Sequence, residues 1–460
     1  MYGRIRHIHF VGIGGTGMSG IAEVLLNMGY DVTGSDLSRN ESTERLERFG
    51  GIIFEGHAAS NVDGADVVVV SSAVRPENPE WRRALELKIP VIPRAEMLAE
   101  LMRLKFGIAI AGAHGKTTTS SLVATVLSHG GLDPTLVVGG RLRALRTGAR
   151  LGTGKFLVAE ADESDGSFLQ LTPTITVITT IDEEHLDFYH DIGEIQDAFV
   201  TFAQKVPFYG LVVACSDDSK VREILPRLTK RVSTYGLGEQ AELRAVDIRP
   251  RGYGSFFTVE LLGERLGTVE LRVPGLHNVR NALAAIAVGH ELAIPFGAIR
   301  NGLSSFEGVS RRFEVRSETG GITVVDDYGH HPTEIEAVLA TARQVHPGRV
   351  LAVFQPHRYT RTAALCERFG AAFRDADVAV ITEIYAAGEH PIEGVTGSLV
   401  SDAIRATGHK DVTFVGEREA LIRHLRTIIR PGDMVITLGA GDIWKIGAAL
   451  VPAGAPDPIG

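Results

Sequence analysis

The chain has 460 residues, enough for about three domains at roughly 150 residues each, with 44% hydrophobic and 22% charged residues. A net charge of −9 excludes a general attraction to nucleic acid or to an anionic membrane, so any phosphate binding must be built locally. Cys215 and Cys366, the only cysteines, lie far apart and offer neither a disulfide framework nor a zinc pattern. No apolar run reaches the roughly 18 residues that a membrane span needs, and no basic-then-apolar leader precedes the first strand. The expectation is a cytoplasmic enzyme that engages neither membrane nor nucleic acid.

His7 to Val11 reads as a short strand, followed by Gly12-Ile13-Gly14-Gly15-Thr16-Gly17 and a helix through Leu26. The next strand, Tyr30 to Gly34, ends at Ser35-Asp36. A βαβ opening with an acidic residue near the second strand's end is the layout of a nucleotide-binding Rossmann-type unit. A tight turn that packs helix on strand without a ligand is the competing explanation of these glycines. Asp66 to Ser71 follows as a buried strand with Ser71-Ser72-Ala73-Val74 at its carboxyl end, where open parallel sheets bind ligands. Helices over Asn78 to Leu87 and Arg94 to Met102 flank a strand at Val91-Ile92, so a first domain is expected over 1–105.

Phe106 to Ala111 is a buried strand, and Gly112-Ala113-His114-Gly115-Lys116-Thr117-Thr118 leads from it into a helix ending at His129. Strand, glycine turn and helix start form an anion cradle, because backbone N–H groups and the helix dipole face the ligand. Lys116 would meet the β- and γ-phosphates of ATP, and the Thr117 hydroxyl a magnesium ion. The fit to a Walker A loop is incomplete: Ile110 stands where that pattern asks for its first glycine. Phe156 to Ala159 is a strand that delivers Glu160, a hard-oxygen ligand suited to magnesium. Asp162, Glu163 and Asp165 read for the most part as a solvated acidic turn. Thr174 to Thr179 delivers Asp182-Glu183-Glu184-His185, and Leu211 to Ala214 is a further strand. From Val232 to Val273 short alternating strands with glycine turns suggest an antiparallel appendage. Pro274-Gly275-Leu276-His277-Asn278 then opens a helix of small apolar residues, and the second domain is expected over 106–310.

Strands at Ile322 to Val325, Val350 to Phe354, Val378 to Thr382, Val412 to Val415 and Met434 to Leu438 alternate with helices, notably Glu334 to Val345 and Thr362 to Phe373. That alternation predicts a parallel sheet in a third domain over 311–460, with a frayed end from Pro452. Asp326-Asp327-Tyr328-Gly329-His330-His331-Pro332-Thr333-Glu334 follows one strand, and His331 or Thr333 is a candidate helix cap. Two acids and two histidines exceed what capping demands. After another strand comes Gln355-Pro356-His357-Arg358-Tyr359-Thr360-Arg361, whose arginines sit three apart. A guanidinium pair there could grip a carboxylate, although exposed surface arginines explain the segment equally well.

Taken in order along nearly the whole chain, GIGGTGMSGI (12–21), GAHGKTT (112–118), AEADESDGSF (159–168), HNVRN (277–281), DDYGHHPTE (326–334) and QPHRYTRT (355–362) resemble the motifs of the Mur ligases of peptidoglycan synthesis, and within them the alanine-adding branch. The resemblance implies three α/β domains: an N-terminal Rossmann-like domain, a central P-loop-like ATPase domain with a small antiparallel appendage, and a C-terminal Rossmann-like domain. It implies a ligase that joins L-alanine to the muramoyl carboxylate of UDP-N-acetylmuramate. ATP would phosphorylate the carboxylate, the amine would attack the acyl phosphate, and ADP and phosphate would leave. Closure of the domains is expected to keep water from that intermediate.

By the same resemblance Lys116 and Thr117 are phosphate and magnesium ligands, Glu160 is shared by two magnesium sites, and His185 serves the second. Asn278 and Asn281 recognise adenine and phosphate, and Arg312 and Asp327 meet ATP from the third domain. Tyr328, His330, His357, Arg358 and Arg361 orient alanine, while Gly12, Gly14, Gly15, Thr16, Gly17, Asp36, Ser71, Ser72 and Ala73 cradle the UDP-sugar. Sister ligases carry a carbamylated lysine in the segment matching 187–202. This segment holds no lysine and has Phe199 near the expected place, so no carbamate is expected. The nearest alternative is a recycling ligase that attaches an intact tripeptide to UDP-N-acetylmuramate. More distant ones are a nicotinamide-dependent dehydrogenase and a nucleotide-driven switch.

Overall fold

The computed structural model describes residues 5–71, 73–142, 147–185 and 188–450. Ser72, Asp187 and the stretch 452–460 therefore lie outside the described residues. The chain packs into two compact units, one of 1–247, 257–270 and 280–307, the other of 248–256, 271–279 and 308–460.

Within the first unit, five parallel strands stand in the order Ile52–Glu55, Asp31–Asp36, His7–Val11, Val67–Val70, Val91–Pro93. The order reverses beside His7–Val11, so the carboxyl ends of that strand and of Val67–Val70 mark the switch point at which open parallel sheets bind ligands. Val67–Val70 is valine throughout and buried on both faces, as a central parallel strand must be. A second sheet of ten strands places Phe106–Ala111 between Phe156–Glu160 and Ile175–Ile178, all parallel. Its glycine loop thus leaves another point of reversal. Val232–Gly236 pairs parallel with Leu211–Cys215, which corrects the expectation of an antiparallel appendage beginning at Val232. That strand has a buried parallel neighbour, and only Leu243–Arg251, Gly254–Leu261 and Glu264–Leu271 extend the order beyond it. One continuous apolar core joins Ile8, Phe10, Ile21 and Leu25 to Ala109, Ala159, Phe168 and Phe199. The expected boundary near residue 105 therefore lies inside a shared core.

The second unit holds six strands in the order Glu314–Thr319, Ile322–Asp327, Met434–Leu438, Val350–Phe354, Val378–Ile381, Val412–Phe414. Only the Glu314–Thr319 pairing is antiparallel. Apolar clusters fill both faces, one around Phe354, Phe369 and Phe373, the other around Leu351, Leu421 and Leu425. The helix expected over 362–373 is two helices, Tyr359–Ala364 and Cys366–Ala372, that meet at Leu365. No helix among the described residues is long and apolar enough to cross a membrane.

Candidate functional site

The glycine loop 112–115 gets its shape from the neighbouring strand end. Ala113 N–H donates to Thr180 O at 2.9 Å, His114 N–H to Thr180 Oγ1 at 3.0 Å, and Thr179 Oγ1 donates to His114 O at 2.6 Å. Gly115 caps the helix Lys116–His129 at φ +82°, a left-handed conformation that strains any L side chain. Gly112, at φ +135°, leaves no room for a Cβ beside Thr179 Oγ1 and Thr180 N. Asn281 lies over the loop, its Oδ1 2.8 Å from where a Cβ on Gly115 would stand. Helix N-terminus, bare backbone and lysine thus stand together at one strand end, the elements from which an anion cradle is built.

Lys116 Nζ donates to Gly112 O at 2.7 Å and to Glu163 Oε1 and Oε2 at 2.8 and 3.0 Å. Burial alone would push this ammonium down, but the charges of Glu163, Asp162 and Glu184 outweigh it and hold it above its usual value. Burial likewise pushes Glu163 up to about 7 against the pull of Lys116. The reading of 162–165 as a solvated turn needs correction at Glu163, whose side chain is 4% exposed. Sequence spacing carried no sign of this, because the carboxylate turns inward only once two strands set their ends side by side. Asp162 pairs with Arg94 at 3.5 Å.

His185 sits at φ +58°, with Nε2 at 3.9 Å from both Glu163 Oε1 and Glu184 Oε2. One ligand atom from each of Glu163, Glu184 and His185 falls within 4.8 Å of the others. Two carboxylates and an imidazole are a donor set that suits a hard divalent cation. Glu160 ends its strand in register with Ile110, and Thr117 opens the helix after Lys116. Phe199 is core: its ring packs on Phe168 at 5.4 Å between centroids.

At the first sheet, the Asp36 carboxylate accepts the Gly14 N–H at 2.8 Å, so this residue holds the glycine turn from within. Gly15 precedes the helix Thr16–Asn27, and Ala73 N–H donates to Ser71 Oγ at 3.4 Å. Gly12 and Ser71 directly follow the adjacent parallel strands His7–Val11 and Val67–Val70.

The second unit gathers the other predicted residues at its own strand ends. His330 lies against Tyr328 and His357 with ring centroids 5.5 and 5.4 Å apart, and His357 stacks on Tyr385 at 5.7 Å. Arg361 Nη1 donates to His357 Nδ1 at 3.3 Å. Burial, His330, Arg361 and Arg358 together press His357 down to about 3, so it stays neutral between cations. Arg358 adopts φ +68° at the start of its helix, and its Nε stands 4.0 Å from Glu389. Neutral imidazole and two guanidiniums suit a small anion such as a carboxylate. Tyr385 and Glu389 belong to this cluster and were missed, since nothing local marks them. His331 is the helix cap, in a capping box with Glu334.

Asp327 accepts N–H groups from Phe313 and Gly329, both at 2.7 Å, and Arg312 lies over the Tyr328 ring at 5.3 Å. Asn278 donates to Pro274 O at 2.7 Å within the same unit.

Family comparison matches this arrangement along the chain. The Mur ligase family catalytic domain matches residues 7–106, the Mur ligase middle domain 110–289, and the Mur ligase glutamate ligase domain 311–441. The chain belongs to the Mur ligase family, ATP-dependent ligases that form carbon–nitrogen bonds. Among individual relatives, the UDP-N-acetylmuramate–L-alanine ligases of Geotalea uraniireducens and Geobacter sulfurreducens are 60% and 59% identical, each over 98% of both chains. A crystal structure of UDP-N-acetylmuramate–alanine ligase from Thermotoga maritima superposes with a TM-score of 0.81 at 31% identity, covering 96% of this chain and 98% of that one.

Proposed function

We propose that this protein ligates L-alanine to the muramoyl carboxylate of UDP-N-acetylmuramate, using ATP and releasing ADP and phosphate, in the cytoplasmic step of peptidoglycan synthesis. What carries the reading is the 60% identity over 98% of both chains to a ligase of that name. The division of labour would follow three domains, 1–105 for the UDP-sugar, 106–310 for ATP and 311–460 for the amino acid.

The roles follow the family resemblance, and the loop around Lys116 and the cluster around His357 support theirs with the groups they gather. The N–H groups of the 112–115 loop and the Lys116 ammonium would hold the β- and γ-phosphates, offsetting the repulsion between ATP and an incoming carboxylate. Thr117, Glu160 and His185, the last with Glu163 and Glu184 beside it, would hold magnesium. When bound, that ion neutralises phosphate charge and orients the transferring group. The family resemblance assigns Asn278, Asn281, Arg312 and Asp327 to the nucleotide as well. Arg358 and Arg361 would take the carboxylate of alanine. His357, held neutral, and His330, with Tyr328, would orient its amine toward the acyl phosphate. The turn at 12–17 with Asp36 and 71–73 would receive the UDP group.

The test is isotopic. With oxygen-18 in the muramoyl carboxylate, one labelled oxygen must appear in released phosphate, and only when L-alanine is present. Phosphate without label, or release independent of alanine, would sink the ligation mechanism. Tripeptide consumed in preference to alanine would favour the recycling reaction instead.

A further inference from the structure

An ammonium has three protons to donate. Those of Lys116 are all engaged inside the protein, by Gly112 O at 2.7 Å and by the two oxygens of Glu163 at 2.8 and 3.0 Å, with Ala113 O a further 3.4 Å contact. A phosphate approaching this loop therefore meets a lysine whose charge is already neutralised, and a carboxylate that repels it. The same Oε1 that accepts from Lys116 stands 3.9 Å from His185 Nε2, and it belongs with Glu184 and His185 to the group of ligand atoms within 4.8 Å. One carboxylate thus faces a phosphate-binding group on one side and cation-binding groups on the other.

The backbone around it is pinned. Glu163 O accepts from Tyr189 Oη at 2.7 Å and from Gly166 N–H at 3.1 Å. The main chain is thus held by contacts that do not use the side-chain carboxylate. His185, opposite, is held at φ +58°, a strained backbone conformation of the kind that persists where surrounding structure enforces it.

We propose that Glu163 is a positioning residue that occupies Lys116 in the nucleotide-free enzyme and releases it when a divalent cation takes the carboxylate. This rests on the reading of the 112–118 loop as the ATP site. Cation and nucleotide then bind cooperatively, and by linkage each raises the other's affinity by the same factor. A nucleotide that meets a free Lys116 in only about one molecule in ten binds about tenfold more weakly than its intrinsic affinity allows. Metal-free nucleotide is held off, so hydrolysis without the ion is disfavoured.

The experiment is calorimetric titration of ADP into wild type and Glu163→Gln, in EDTA and in excess magnesium. Glutamine keeps an acceptor for Lys116 and removes the charge. Glu163→Gln should bind ADP about tenfold more tightly than wild type in EDTA, and its enhancement by magnesium should shrink by a similar factor. The converse reads out on the metal: Lys116→Met should bind manganese, followed by electron paramagnetic resonance without nucleotide, more tightly than wild type. Glu163→Asp, which keeps the charge on a shorter arm, should fall between wild type and Glu163→Gln. ADP affinity in EDTA that is unchanged or weaker in Glu163→Gln overturns the inference, as does unchanged manganese affinity in Lys116→Met. Failure of wild type to bind ADP under any condition removes the nucleotide site itself, a different result from wild-type binding that Glu163 does not influence.

Discussion

Replacing Asp327 with asparagine isolates what one buried carboxylate contributes. The residue ends the strand Ile322–Asp327, is 4% exposed, and accepts two backbone N–H groups at 2.7 Å. Burial raises its pKa from 3.8 to about 6, with Arg312 and those two N–H groups opposing. A carboxyl whose pKa is higher folded than unfolded takes up its proton more readily in the folded state. Stability from this group is therefore complete below pH 3.8 and lost as pH rises through about 6. The gap of about 2 pKa units corresponds to about 3 kcal/mol. Asparagine does not titrate, so the variant lacks that pH dependence. At pH 7.5 it is spared the burial of a charge but loses charge-assisted acceptance, about 1.5–3 kcal/mol per bond, so the two proteins should lie close together there. Urea denaturation of both, in half-unit steps from pH 7.5 to 4, measures the difference. Wild type should gain on the variant by about 2–3 kcal/mol over that range. Parallel stability curves would refute the reasoning.

Lys116→Met should lower ligation by about 10³-fold while leaving UDP-N-acetylmuramate binding intact, measured by coupled ADP release and by calorimetry. Arg361→Lys, which loses the planar donor fork and the 3.3 Å contact to His357, should raise KM for L-alanine about tenfold with little change in KM for ATP. The His357 ring signals should hold still by NMR from pH 8 to 5, because its pKa lies at about 3, and Arg361→Ala should bring its titration upward. Gly112→Ala, forced into φ +135° and against Thr179, should lower the melting temperature by several degrees and abolish nucleotide binding.

Most of the buried parallel strands were legible in the order of residues, together with the polar clusters that follow them, though Ile52–Glu55 and the edge strand Glu314–Thr319 were not. A parallel strand buried on both faces is a run of apolar residues, as at Val67–Val70 or Val350–Phe354. Polar clusters after such runs must fall at the sheet's carboxyl edge, so the 112–118 loop, His185, Asp327 and the 355–361 segment could be singled out one by one. Lys116 and the arginine pair were legible for that reason, as was the helix cap shared by His331 and Thr333 as candidates.

Tertiary structure decided what no local pattern encodes. Glu163 is an acid in an acidic turn until the Phe156–Glu160 strand is laid beside Phe106–Ala111, which aims it at Lys116 across 47 positions of sequence. Tyr385 and Glu389 are ordinary loop residues until the strand Val378–Ile381 pairs with Val350–Phe354 and brings them to His357 and Arg358. Asp36 stands out in the sequence as a candidate ligand contact, and the fold adds that its carboxylate accepts the Gly14 N–H and holds the turn. Local periodicity records whether a residue faces core or solvent, because that depends on its own element alone. Its partner across the sheet depends on strand order, and that order is set by the packing of the whole chain.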